Sequence, residues 1–356
     1  MQSAIEQPLS GPCVWHGQEL ARSRDWVRPL SPVAVAEIDA ALREVRRRGL
    51  GWRDVRKRDF PLPGASALLD QVARDLEWGR GVVLVRGLPI ARYTEDEIRT
   101  IWWGIGTHIG AAVFQNAHGE LIGEVRDETR LYGEVLQPAV PQGEGLTSRA
   151  KSRSAGPLRW HTDRCDVVAL LCVRAARDGG ISRVVSVPAV SNAIRERRPD
   201  LHRLLWADYH RARQGEEVGG ERACYALPIF AMRDGRFTTQ YSRTFVEAAQ
   251  KIPGIPRLSA AQDEALDLLA AVCDELCFEM QFEPGDMQFL NNHVIYHGRT
   301  AYADDPGRDQ DRLLFRLWLS PPNSRPLPEG FEVLWGSIEG GAVRGGIAQP
   351  GVSAPA

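Results

Sequence analysis

Three observations predict a mixed α+β fold. Its core is expected to be a double-stranded β-helix (jelly roll) with N-terminal and inserted helices. Short β-prone runs are closed by Gly and Pro, helical patterns gather at the start of the chain and in one central stretch, and no internal repeat is present. The 356 residues are 43% hydrophobic and 25% charged, ample for one sizeable core. The net charge of -2 leaves no basic excess for a nucleic-acid partner. The arginines of Arg43-Glu44-Val45-Arg46-Arg47-Arg48 read as a solvated helix face. No apolar run has membrane-spanning length, and Met1 to Pro8 is polar, so a cytoplasmic protein with no membrane partner is expected. A homo-oligomer stays open. Cys13, Cys165, Cys172, Cys224, Cys273 and Cys277 form no C-x-x-C and read as free thiols.

The elements follow in order. Ser31-Pro32 opens a helix as cap and first-turn proline, and Gly49 closes it. A second helix covers Ala65 to Trp78. Gly81 to Gly87 encloses a buried strand. Thr94-Glu95-Asp96-Glu97 is a capping box for a helix running toward Trp103. Residues 128–157, rich in Gly, Pro, Ser and Gln, read as a mobile lid loop. Strands are expected at Val167 to Ala176 and Ile181 to Val187, then helices at Pro188 to Glu196 and Pro199 to Leu205. Asp234-Gly235 turns a hairpin between Ile229-Met232 and Phe237-Tyr241. Ser259 caps a long amphipathic helix to about Leu276. After the tight turn Glu283-Pro284-Gly285-Asp286, strands run from Met287 and from Val294. The tail after Pro321 reads as frayed.

Chemistry concentrates in two distant segments. In Trp160-His161-Thr162-Asp163, an extended backbone puts His161 and Asp163 on one face, because strand side chains alternate. In Asn292-His293-Val294-Ile295-Tyr296-His297-Gly298-Arg299, His293 and His297 share parity, and spacing alone does not choose between them. Two imidazoles and one carboxylate are the ligand inventory of a non-heme Fe(II) facial triad, which leaves coordination positions open. Arg312-Leu-Leu-Phe-Arg316-Leu-Trp-Leu places two arginines on one face of an apolar strand, where they need anionic partners.

These pieces carry a resemblance to the TauD/TfdA-like Fe(II)/2-oxoglutarate dioxygenases of the clavaminate-synthase-like superfamily. The matching segments are His161-Thr162-Asp163, Gly179-Gly180-Ile181-Ser182, Glu283-Pro284-Gly285-Asp286, Asn292, His297-Gly298-Arg299 and Arg312-x-x-x-Arg316, with Gln115 to Asp127 upstream. The resemblance implies Fe(II) on His161, Asp163 and His297, with Asn292 and His293 behind them. It implies 2-oxoglutarate as co-substrate with O2. Arg312 would anchor the far carboxylate, since a guanidinium grips a carboxylate in two places, with Ser182 beside it and Arg316 near. Ser182 departs from the Thr of many relatives.

The implied reaction couples decarboxylation of 2-oxoglutarate to succinate and CO2 with hydroxylation, or a related C–H oxidation, of a small molecule. Arg316, Arg243, Tyr241 and Arg126 are the candidate substrate contacts, and spare arginines point to an anionic substrate. The competing classes are a metal-dependent hydrolase and a non-catalytic cupin-like binding protein using the same His-Asp-His set. Residues 1–30 are expected as an extension and 31–325 as one oxygenase domain with a helical insertion at about 188–280. Residues 326–356 are expected as a tail.

Overall fold

The computed structural model describes residues 7–128, 153–214, 216–217, 220–304 and 311–347. Two main sheets form the centre. The seven-stranded sheet runs in the order β1 (Val27–Pro29), β2 (Val82–Arg86), β14 (Met287–Asn291), β6 (Val167–Arg174), β17 (Leu313–Ser320), β3 (Ala111–Ala112), with β4 (Ile122–Val125) also on β17. The four-stranded sheet runs β13 (Phe278–Met280), β8 (Ser182–Ser186), β15 (Ile295–Arg299), β5 (Leu158–His161). Most neighbours in both sheets are antiparallel; β1 and β2 are parallel. Small ladders pair β7 (Asp178–Gly179) with β16 (Tyr302–Ala303), β9 (Asp208–Ala212) with β10 (Cys224–Pro228), and β11 (Phe230–Arg233) with β12 (Arg236–Thr239).

Alternation along the strands divides the core. In β17, Leu313, Phe315, Leu317 and Leu319 join the helix-side cluster, whereas Leu314 and Trp318 join the cluster that includes Val184, Ile295 and Tyr296 of the smaller sheet. The helix side is covered by α2 (Pro32–Arg47), α3 (Ser66–Trp78) and α4 (Glu95–Ile109), which follow α1 (Gly17–Arg22). Ser31 Oγ caps α2 by accepting the Ala34 N–H, and Thr94 with Glu97 forms the capping box of α4. That helix continues to Ile109, past the expected end, because Trp102, Ile105 and Ile109 keep burying its apolar face.

The stretch 188–280 is not purely helical. Helices α5 (Val187–Arg197), α6 (Pro199–Leu204), α7 (Arg243–Ala249) and α8 (Ala260–Leu276) alternate with the two hairpins β9–β10 and β11–β12. The β9–β10 pair escaped the sequence because it is short and its apolar alternation is broken by the fully buried Arg211. Asp234 and Gly235 turn the other hairpin with φ of 51° and 72°, the left-handed geometry a tight turn requires.

The expected tail is also corrected. Residues 321–347 pack, and Leu327, Phe331, Leu334 and Trp335, the last two in α9 (Glu332–Trp335), form a third core with Tyr225, Leu227 and Ala231. Most of the expected lid loop, 129–152, lies outside the described residues. All six cysteines are free thiols. Among the described residues no helix is long and apolar enough to cross a membrane.

Candidate active site

Residue pairing between β5 and β15 puts His161 directly opposite His297, with ring centroids 4.2 Å apart. The chain leaves β5 after His161, and Thr162 clamps the exit. Its N–H donates to the Tyr241 carbonyl (2.9 Å), and its Oγ1 accepts the Tyr241 N–H (3.1 Å). Asp163 is thereby carried alongside both rings. Its Oδ1 lies 3.7 Å from His161 Nε2 and its Oδ2 3.9 Å from His297 Nε2. One ligand atom from each of the three residues falls within 4.8 Å of the others, the spread of a single metal ion's donors.

Neighbours set the orientation of each donor. The Arg159 carbonyl lies 2.9 Å from His161 Nδ1; an Nδ1–H donated there leaves the Nε2 lone pair facing Asp163. Trp318 Nε1 donates to Asp163 Oδ2 (2.8 Å), and Arg316 Nη1 lies 3.4 Å from the same oxygen. Asn292 Oδ1 accepts the Asp163 N–H (3.3 Å) while its Nδ2 donates to the Cys165 carbonyl (2.9 Å). Burial opposes ionisation of Asp163, but Arg316, the two imidazoles and the Trp318 N–H hold its carboxyl below the usual range. Burial, reinforced by His161, pushes His297 down to about 3, so its ring is neutral at ordinary pH.

His293 shares neither direction nor role. The strand breaks in a turn at 292–294, and the fully buried His293 ring turns away. Its Nε2 lies 2.8 Å from Asp166 Oδ1 and its Nδ1 2.7 Å from Thr238 Oγ1. Asp166 also takes Arg344 (2.6 Å) and Ser320 Oγ (3.0 Å), which ties the segment behind the site to the packed C-terminal stretch.

Beyond His297, β15 delivers Arg299, and β17 is preceded by Arg312. The two buried guanidiniums lie 4.6 and 4.9 Å from the Tyr302 ring. Arg299 Nη2 donates to the Ser154 and Gly156 carbonyls, leaving Nε and Nη1 buried without partners. Among the described residues no carboxylate comes within ion-pair distance of Arg312, whose Nη1 reaches only the Val125 carbonyl, at 3.5 Å. Burial lowers both arginines from their ordinary range, Arg299 to about 10. Gly179 and Gly180 pass close to this pair. A β-carbon on Gly180 would sit 3.2 Å from Arg312 Nε, and one on Gly179 would collide with the Ala301 carbonyl at 2.2 Å. Ser182 lies two residues further on, opposite Arg299 in the register, with its Oγ 3.4 Å from Gln288 Oε1.

The cavity at the triad is lined by His161, Asp163 and Arg316, and by Arg153, Arg164, Arg213 and Glu216, which the sequence reading did not select. Those four carry no motif; chain folding alone gathers them. Arg316 is held by Gln115 Oε1 (2.7 Å). Three candidate substrate residues are placed elsewhere. Tyr241 stacks on Tyr296 at 5.3 Å within the core. Arg243 is spent on Glu247, Asp263 and Asp267, because it opens α7 beside the acidic face of α8. Arg126 pairs with Glu124 at 3.6 Å, and Glu124 rather than Arg126 lines the cavity.

Comparison with known proteins gives a consistent answer. The model of the "Taurine catabolism dioxygenase TauD, TfdA family" matches residues 45–318. FR-33289 synthase of Streptomyces rubellomurinus is 30% identical over 346 residues, covering 94% of this chain and 97% of its own. A taurine hydroxylase-like protein of Stachybotrys chartarum is 29% identical over 330 residues, covering 88% of this chain and 82% of its own. Among solved structures, asparagine oxygenase in complex with Fe(II), hydroxyasparagine and succinate is similar, with a TM-score of 0.60 at 19% identity over 83% of this chain and 93% of that one. The non-heme iron oxygenase OrfP with Fe and α-ketoglutaric acid gives 0.58 at 17% identity over 82% and 93%. This chain therefore belongs to the TauD/TfdA family and is an iron- and 2-oxoglutarate-dependent dioxygenase.

Proposed function

We propose that His161, Asp163 and His297 hold the Fe(II), and that Arg312, with Arg299 beside it, receives the far carboxylate of 2-oxoglutarate. We further read the two sheets as a double-stranded β-helix within a single domain of about 31–325, completed by the C-terminal segment to 347. The substrate is a small organic acid. The observation that carries the reading is a pairing of opposites in one interior. Two imidazoles, that of His297 held neutral by burial, and an ionised carboxylate converge within the reach of one ion. Two residues past His297, Arg299 and its neighbour Arg312 are buried with no carboxylate at ion-pair distance among the described residues, Asp127 and Asp304 acting on them only from further off. A divalent metal satisfies the first and a dicarboxylate the second, since isolated buried charge is costly.

Iron with 2-oxoglutarate and O2 supplies the oxidation itself; the chain supplies position and shelter. The Arg159 carbonyl keeps the proton of His161 on Nδ1, so that Nε2 faces inward. Trp318 stops the Asp163 carboxylate from rotating. Burial keeps His297 neutral and able to donate its lone pair. Ser182 stands at the 2-oxoglutarate end through its place opposite Arg299. Arg316, between Gln115 and Asp163, faces the space left for substrate. Asparagine oxygenase and OrfP hold hydroxylated amino acids, each of which carries a carboxylate group, and this supports a substrate bearing an acid group.

The test is a screen of small acids for stimulation of succinate release from 2-oxoglutarate by the iron-loaded protein. Stimulation by one acid series supports the reading. Stimulation only by compounds that carry no acid group refutes the acid substrate and leaves the dioxygenase intact.

A further inference from the structure

We propose that Arg164 and Arg213 form the subsite that holds the substrate's acid group, an oxyanion carried on a small organic molecule. The inference rests on the dioxygenase reading and deepens it. Arg164 follows Asp163 directly in the chain, and Arg213 directly follows β9; both side chains line the triad cavity. They share one carboxylate. Arg164 Nη2 lies 3.1 Å from Glu221 Oε1, and Arg213 Nη1 lies 3.3 Å from Glu221 Oε2. Two cations on one acid leave a positive excess in a wall that water barely reaches, since the Arg213 side chain is only 3% exposed.

Backbone carbonyls hold both guanidiniums in place. Leu334 takes Arg164 Nε at 2.7 Å, while Val333 and Arg222 take Arg213 Nη2 and Nε. The Tyr225 ring lies 4.8 Å from the Arg213 guanidinium. Even so, Arg213 Nη1 is buried with no hydrogen bond. A pre-oriented guanidinium with a spare donor beside a second one matches the oxygens of an acid group.

Among the described residues, the other cations lining the cavity are already occupied. Arg153 is held by Glu120 and Glu128 at 2.6 and 2.7 Å, and Arg316 by Gln115 and Asp163. Glu216 also lines the cavity. Burial pushes its carboxyl up to about 7, with Arg164 pulling the other way, which thins the negative charge that would oppose an acid there. The carbonyls of Leu334 and Val333 that hold the two arginines belong to α9, so the packed C-terminal segment aims both of them.

The experiment uses the full chain loaded with Fe(II) and 2-oxoglutarate. Matched carboxylates, sulfonates and phosphonates are compared with their neutral esters, by succinate release and by binding under argon. Arg213→Gln is expected to raise KM and Kd for the acid by about tenfold or more, as expected for loss of a charge-assisted hydrogen bond. The ester, already weak, changes little, and Arg213→Lys recovers part of the loss. Arg164→Gln gives the same pattern. Equal losses for acid and ester, or unchanged acid affinity in both variants, overturn the subsite. Wild-type turnover only of compounds that carry no acid group overturns it while the dioxygenase reading stands. Absence of any 2-oxoglutarate turnover overturns both.

Discussion

Replacing Arg312 by Met separates a ligand-holding cation from a structural one, because the two roles predict opposite signs. Arg312 is 4% exposed, lies 4.9 Å from the Tyr302 ring, and has no carboxylate at ion-pair distance among the described residues. Burial works against its charge in the ligand-free protein. Methionine keeps most of the apolar stem and removes the charge, so the ligand-free fold should melt at the same temperature or higher. Binding of 2-oxoglutarate should suffer strongly. Removing one partner of a buried charged pair costs about 2–5 kcal/mol, roughly thirtyfold to a few thousandfold in Kd. At a concentration of 100 times the wild-type Kd, bound ligand stabilises the protein by about 2.7 kcal/mol, and a thousandfold loss removes nearly all of it. Thermal melting with and without 2-oxoglutarate, under argon with Fe(II), reads both effects together. Equal 2-oxoglutarate affinity in the two proteins, or a collapsed ligand-free melting temperature with affinity retained, refutes the assignment.

Three further outcomes follow from the same geometry. Asp163→Ala should abolish iron retention measured by metal analysis, whereas His293→Ala should lower the melting temperature and leave iron bound; iron lost only in the His293 variant would reverse the choice of distal ligand. Arg344→Met breaks a fully buried pair with Asp166 and should cost about 3–5 kcal/mol in denaturant unfolding; a loss under about 1 kcal/mol would show that the C-terminal packing contributes little. The metal-free protein should lose stability on acidification. The folded state holds His297 down to about 3 and Asp163 below its usual range. The unfolded chain therefore takes up protons first, beginning near the ordinary imidazole value of about 6.5. The contribution of His297 is full above that pH and drains as pH falls toward about 3; a melting temperature flat from pH 7.5 to 5 would contradict this.

The order of motifs along the chain was sufficient for the family and the cofactors, and it singled out the three residues, His161, Asp163 and His297, that the fold brings together. Each of those features is local: a His and an Asp two residues apart, a glycine pair before Ser182, two arginines on one strand face. Caps and turns were readable for the same reason. Ser31, Thr94 and Ser259 each satisfy backbone donors within three residues, so their helix starts need no distant partner.

What only the tertiary structure decided depends on residues far apart in sequence. His293 and His297 have equal parity on paper, and the turn at 292–294 sends one toward Asp166 and the other toward Asp163. Arg243 looked like a substrate contact until α8 brought Asp263 and Asp267 to it. The Gly- and Pro-rich stretch after Pro321 reads as frayed because its ordering comes from outside itself. Asp166 holds Arg344, and Tyr225 and Leu227 receive Phe331 and Trp335. Arg164, Arg213 and Glu216 belong to no motif and meet only because β9, the residues after Asp163 and α9 converge on one cavity. Sequence encodes short-range hydrogen bonding and ligand chemistry directly, but charge pairing at long separation is settled by which surfaces the core brings together.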